Sequence, residues 1–159
     1  MKSMLSLGVL GAVCVMVSAE AVAAAPPVYW QRGSTMKASS QSTFYDRAGR
    51  MAGRSRTTGN RTRYTDRGGR TTFTRRTTGN RSTVSDRSGR KVASSVTSGN
   101  RTSYFSRSGQ RTGSSRTVGN RTSFYDRSGR SLGSSRTVNG RTTTYDRTGR
   151  VTGRSRSRR

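Results

Sequence analysis

The sequence contains no histidine, one cysteine, two prolines and only six acidic residues. Without histidine there is no imidazole base, no histidine metal ligand and no Ser-His-Asp triad. The single thiol, Cys14, leaves no intrachain disulfide to staple a small exported domain. Apolar residues are scarce as well, at 27% of 159. Low hydrophobicity with high net charge marks a chain that struggles to bury a core. Against these absences stand 32 Lys+Arg and a formal net charge of +26.

The first residues differ from the rest. Lys2 precedes a run from Met4 to Val17 of almost wholly apolar or small residues, followed by the small-x-small patterns Ala19-Glu20-Ala21 and Ala21-Val22-Ala23. Residues 1–23 therefore read as a secretory signal peptide. The apolar run is shorter than the ~20 residues a membrane-spanning helix needs. The bulky Val13 before Cys14 fits a lipidation signal poorly. The expected location is secreted or periplasmic, or held at the cell surface. Lys2 and Glu20 cancel, so removing the leader leaves the charge intact. Residues 24–40 read as a linker with a partial repeat beginning near Gly33.

From residue 41 to 159 the chain is a tandem repeat of twenty residues, starting at 41, 61, 81, 101, 121 and 141 without a gap. The sixth position is Asp46, Asp66, Asp86, Ser106, Asp126 and Asp146, which with Glu20 accounts for every acidic residue. The seventh is Arg in all six copies and the ninth is Gly in all six. The first is Arg in five copies and Gln41 in one. The unit ends Gly-Asn four times, and Asn139-Gly140 inverts the pair.

Both features are turn chemistry. Asp-Arg-x-Gly suits a type I turn with Gly at positive φ, and Gly-Asn or Asn-Gly suits a tight hairpin turn. The stretches between, such as Thr122-Ser123-Phe124-Tyr125, are rich in Thr, Ser and aromatics and read as strands. Each unit is thus a β-hairpin. Across its loop Asp126 should face Arg130, with Phe124 near Leu132; across the other turn Gly113 should lie under the Phe124 ring. The expected fold class is all-β: tandem hairpins in an extended antiparallel meander or solenoid-like sheet. Its few apolar groups make it marginally stable, or ordered in part only with a partner.

The layout Tyr-Asp-x-x-Gly-Arg, then about ten residues, then Gly-Asn-x-Thr resembles the YD repeat of RHS and teneurin-type proteins. It is carried by Tyr45-Asp46-Arg47-Ala48-Gly49-Arg50, Tyr125-Asp126-Arg127-Ser128-Gly129-Arg130 and Tyr145-Asp146-Arg147-Thr148-Gly149-Arg150, with looser copies at Thr65-Asp66, Ser85-Asp86 and Phe105-Ser106. The resemblance covers residues 41–159 and implies β-hairpins in large sheets or hollow shells, export, and a link to carbohydrate binding. Six copies are fewer than a hollow shell needs.

Basic residues number 29 Arg and 3 Lys. Arginine adds to charge a planar fork that grips phosphate, sulfate or carboxylate at two points. Equivalent positions of successive hairpins lie two strands apart, ~9–10 Å, so the repeat makes arginine ladders. The candidate polyanion-binding residues are Arg47, Arg61, Arg67, Arg81, Arg87, Arg101, Arg107, Arg121, Arg127, Arg141 and Arg147. Tyr45, Tyr64, Tyr104, Tyr125 and Tyr145 are candidates to stack on bases or sugars. The expected partners are nucleic acid, lipopolysaccharide or acidic polysaccharide, alongside self-association. No cofactor, metal or small-molecule substrate is expected, and no catalytic residue is assigned. Two readings follow: a non-enzymatic binder of polyanions or anionic envelope surfaces, and a structural or adhesive surface protein assembling through its sheet edges.

Overall fold

The computed structural model describes residues 40–158; the expectations for residues 1–39 lie outside them. The first three hairpins contribute β1 (Ser40–Tyr45), β2 (Met51–Thr58), β3 (Arg61–Asp66), β4 (Thr71–Thr78), β5 (Arg81–Asp86) and β6 (Lys91–Ser98). The last three contribute β7 (Arg101–Ser106), β8 (Arg111–Val118), β9 (Arg121–Asp126), β10 (Ser131–Val138), β11 (Arg141–Asp146) and β12 (Val151–Arg158).

The turn residues act as their chemistry dictates. In the first loop the Gly49 N–H donates to the Asp46 carbonyl (3.1 Å), and the Asp46 N–H to the Arg50 carbonyl (2.9 Å). Gly49 sits at φ +78. This is a type I turn closed by a left-handed residue, a standard three-residue hairpin loop. At the opposite end the Gly-Asn loops place only the glycine at positive φ, as in Gly59 at +56, which is type II′ geometry. Inverting the pair changes the turn: Asn139 and Gly140 are both positive, at +48 and +73, which is type I′.

Each Asp-type hairpin carries a bulge beside its loop, and the bulge corrects the register expected from the sequence. Phe124 faces Gly133 and Tyr125 faces Ser131, so Leu132 is the extra residue. Phe124 therefore does not face Leu132. Gly113 lies opposite Tyr104 and Asp126, not Phe124, for a different reason: across the unbulged Gly119-Asn120 turn Val118 pairs with Arg121. One unpaired residue shifts everything beyond it by one place and exchanges the faces. Asp126 and Arg130 do oppose each other, through a backbone bond of 3.0 Å.

The antiparallel meander is neither an extended sheet nor a solenoid. It is a closed barrel of twelve strands, with β1 paired to β12. Closure follows from the register. Phe44 lies opposite Gly53 and Gly53 opposite Asp66, two residues beyond Tyr64, the repeat equivalent of Phe44. Each hairpin thus staggers the sheet by two residues, and six hairpins by twelve. A stagger equal to the strand number is the ratio of the eight-stranded parallel barrels, whose strands tilt by roughly 36°. The closing pair repeats the internal rule: Phe44 opposite Ser155 and Tyr45 opposite Arg154 match Tyr64 opposite Ser55 and Thr65 opposite Arg54.

Strand alternation then sorts the unit into two faces. The fourth position points inward and supplies Phe44, Tyr64, Val84, Tyr104 and Phe124, all buried, with Thr144 completing the ring. Phe73 joins them from β4. The barrel interior near the Gly-Asn end is hydroxyl-lined. Thr57 bonds Thr62, Thr77 bonds Ser82, Thr97 bonds Thr102, Thr117 bonds Thr122 and Thr137 bonds Thr142, at 2.8–3.0 Å. These pairs satisfy polar groups that an apolar core would leave exposed to desolvation.

Candidate anion-binding surface

The outer wall is built from the positions that alternate away from the core. The first position of the unit contributes exposed Arg61, Arg81, Arg101, Arg121 and Arg141. Register places another arginine beside most of them: Arg61 faces Arg76, Arg101 faces Arg116, Arg121 faces Arg136 and Arg141 faces Arg156. Arg56 likewise faces Arg63. The expected ladder therefore exists, but the barrel bends it into a belt around the Gly-Asn half. The sixteenth-position arginines (Arg56, Arg76, Arg116, Arg136 and Arg156) were not singled out from the sequence, although the same twenty-residue count locates them. Like charges directly opposed on a sheet are destabilising, so this belt is held together against its own repulsion.

The seventh-position arginines lie elsewhere. Arg47, Arg67, Arg87, Arg107, Arg127 and Arg147 begin the Asp-type loops and are exposed at the other end of the barrel. Five residues of strand separate the sixth position from the first, roughly 17 Å. The eleven arginines proposed as one site thus form two separate rings.

The tyrosines divide as well. Tyr45, Tyr125 and Tyr145 point outward and are half-buried. Tyr64 and Tyr104 are 4% and 6% exposed inside the barrel, and leave the stacking set. They occupy the fourth position and the others the fifth, and adjacent residues face opposite sides. The Tyr104 hydroxyl bonds Ser115 Oγ at 2.9 Å. Burial raises both phenols above the usual value, opposed by the charge of Arg75 on β4. Arg75 stands at a position where the other copies carry inward Ser55, Ser95, Ser115, Ser135 and Ser155, so one arginine turns into the barrel.

The five aspartates do not neutralise the belt. Asp126 Oδ1 accepts from the Arg130 N–H (2.9 Å), the Ser128 N–H (2.8 Å) and the Ser128 hydroxyl (2.7 Å). Asp86 and Asp146 do the same within their own loops. The hydroxyl bond, with help from the backbone donors and the neighbouring arginine, holds all three carboxyls below the usual value. Their contribution is fully present above the ordinary aspartate value of about 3.9. It is lost as pH falls further, through the depressed folded value. In an acid titration the Arg90, Arg130 and Arg150 amide resonances should stay constant down to about pH 4 and move only below it. A midpoint at or above the ordinary value would contradict the bonding. In the fourth copy Ser106 stands in for Asp, and the Gln110 N–H reaches it at 3.2 Å.

The belt is indented on one side. One depression of ≈ 680 Å³ is lined by Arg136, Arg141, Thr143, Tyr145 and Arg156, among others. A second, of ≈ 550 Å³, lies over the closure of β12 on β1 and shares Arg156. Neither has an acidic residue in its lining. The outer positions are mainly Ser, Thr and Arg, interrupted by Tyr45, Tyr125, Tyr145, Val118 and Val138, over strands of six to eight residues. A transmembrane barrel instead shows an apolar band on strands of about 9–11 residues. Among the described residues no group of three His, Cys, Asp or Glu comes together as a metal site would require. No protein-family model and no curated protein matches the chain.

Proposed function

We propose that the chain is a secreted or periplasmic, non-enzymatic barrel that binds anionic polymers or anionic envelope surfaces through its outer arginine belt. The observation that carries this reading is an acid-free outer wall. Ten arginines of the first and sixteenth positions lie on it, eight of them as four directly opposed pairs, while every carboxylate among the described residues is held at the Asp-type loops. A polyanion laid along the belt relieves the opposed Arg pairs and releases condensed counterions. Each guanidinium offers a two-point grip on a phosphate or sulfate. Outward Tyr45, Tyr125 and Tyr145 supply ring faces beside it.

The reading treats the hairpin as a YD-type repeat, whose relatives are linked to carbohydrate binding, so an acidic polysaccharide belongs among the probes. The alternative, assembly through free sheet edges, rests on edges that a closed barrel does not leave unpaired.

Binding to heparin, duplex DNA and lipopolysaccharide should weaken with salt. With about three arginines engaged, affinity should fall roughly 20- to 40-fold between about 50 and about 200 mM salt, at ~0.7–0.9 in log–log slope per neutralised charge. Unchanged affinity over that range, or equal affinity for an uncharged polysaccharide, would end the proposal.

A further inference from the structure

The belt is not uniform, and its exception lies where the barrel closes. Five copies of the repeat begin with Arg, but the first begins with Gln41. On β1, Gln41 is flanked by Arg158 of β12 and Arg56 of β2. Thr43, two residues on, is flanked by Arg156 and Arg54. The result is two rows with a neutral hydrogen-bonding floor and an arginine at each end. All four arginines are exposed. The rows lie roughly 7 Å apart along the strand, and the arginines of one row roughly 10 Å apart across two strands. Tyr45 continues the floor, beside Arg154.

No other odd strand carries both rows: on β11 Thr143 also lies between Arg136 and Arg154, but Arg141 stands where Gln41 does on β1. Around β9, Arg121 itself occupies the floor, and Ser123 lies between Arg116 and Ser134. Around β5, Thr83 lies between Arg76 and Ser94. Arginine at the fourteenth position occurs only in the first and last copies, as Arg54 and Arg154, and at the eighteenth only as Arg158. The extra arginines at these two positions and the missing one at Gln41 all fall in the first and last copies, and closure brings them face to face.

Resting on the polyanion reading, we infer that the closure seam is a two-row clamp for tetrahedral oxyanions, phosphate or sulfate groups carried on one ligand, and that filling it locks the barrel shut. An anion elsewhere on the belt bridges the two strands of one hairpin, or hairpins adjacent in sequence. An anion in the seam bridges Arg156 and Arg158 of the last hairpin to Arg54 and Arg56 of the first. It binds the closed barrel and not an opened one, so it stabilises closure by mass action. Gln41 and Thr43 hold the facing arginines apart and offer an amide and a hydroxyl to the ligand between them.

The test titrates the full chain with inorganic tripolyphosphate and, separately, with a heparin-derived tetrasaccharide, following Kd and Tm. Arg54→Ser/Arg156→Ser is compared with Arg101→Ser/Arg116→Ser, which removes the same charge across the barrel. The seam pair should weaken binding about tenfold and abolish the ligand-induced rise in Tm, against about twofold for the other pair. The probe that loses more to the seam pair identifies phosphate or sulfate as the source. Gln41→Glu is the companion variant. A carboxylate on the floor should raise Tm without ligand and remove the further rise with it, so the inference survives a folding fault in the double variant. Equal losses from both arginine pairs, or an undiminished ligand response in Gln41→Glu, would overturn the seam and leave the polyanion reading standing. Failure of heparin, DNA and both small probes to bind wild type would overturn both.

Discussion

Phe124→Ala should cost about 3–5 kcal/mol, the range for truncating a fully buried aromatic. Phe124 is 0% exposed. It faces Gly133 in its own hairpin and Ser115 in the preceding one. Neither neighbour has the bulk to fill the space left by the ring, so the cavity persists and the loss falls toward the upper end. Urea unfolding should show the midpoint fall with the slope unchanged. Val138→Ala is the comparison. Val138 is apolar but 46% exposed, and its loss should stay within about 0.5 kcal/mol. In an open meander the inner face would be wet and the two variants would behave alike. That result would count against closure itself.

Gly133→Ala should cost about 2–4 kcal/mol by adding backbone strain to overpacking. Gly133 has φ +137, and a Cβ there would run into the Tyr145 carbonyl oxygen and lie 3.0 Å from the Asp146 carbonyl carbon. Both obstacles are backbone and cannot rotate away. Gly153, at the same repeat position, is different: its Cβ would meet only the Tyr45 carbonyl oxygen at 3.3 Å. Gly153→Ala should therefore lose less than about 1 kcal/mol. Thermal unfolding of the two variants side by side measures the difference. Equal losses would show that the repeat position, and not the local approach of β11, sets the need for glycine. Phe73 and Ala93 already prove that the position admits a side chain where the strands are spaced for it.

These contrasts mark how far the sequence could be read. The loops were legible because their determinants are local. A type I turn needs only Asp, two more residues and a glycine. The switch from type II′ to type I′ follows from exchanging Gly119-Asn120 for Asn139-Gly140. The twelve strands between the loops were legible for the same reason. Register was only partly so. Asp126 opposing Arg130 is fixed by the loop, but the bulged Leu132 lies one residue beyond it, and a bulge has no composition cue here. Gly113 was misplaced at the other turn, where Val118 pairs with Arg121 and so sets Ser115 opposite Phe124. Tyr64 and Tyr104 were misread because aromatic residues occupy both the fourth and fifth positions. Alternation says that these two positions face opposite sides, without saying which side is the inside. The candidate site was half legible: its arginines are countable, but their division into a belt and a distant loop ring is not.

The sequence by itself determined the twenty-residue unit, its two turns, its all-β character and the positions of arginine within it. These depend on contacts a few residues apart. Only the tertiary structure decided that the sheet closes, which aromatics become core, and that Arg54 and Arg56 share one depression with Arg156 and Arg158. Closure is the sum of a two-residue stagger over six hairpins, carried by strand tilt and returned to the first strand in register. No single repeat contains that sum. The charge visible from the start as +26 acquires its most concentrated face only where the two ends of the repeat meet.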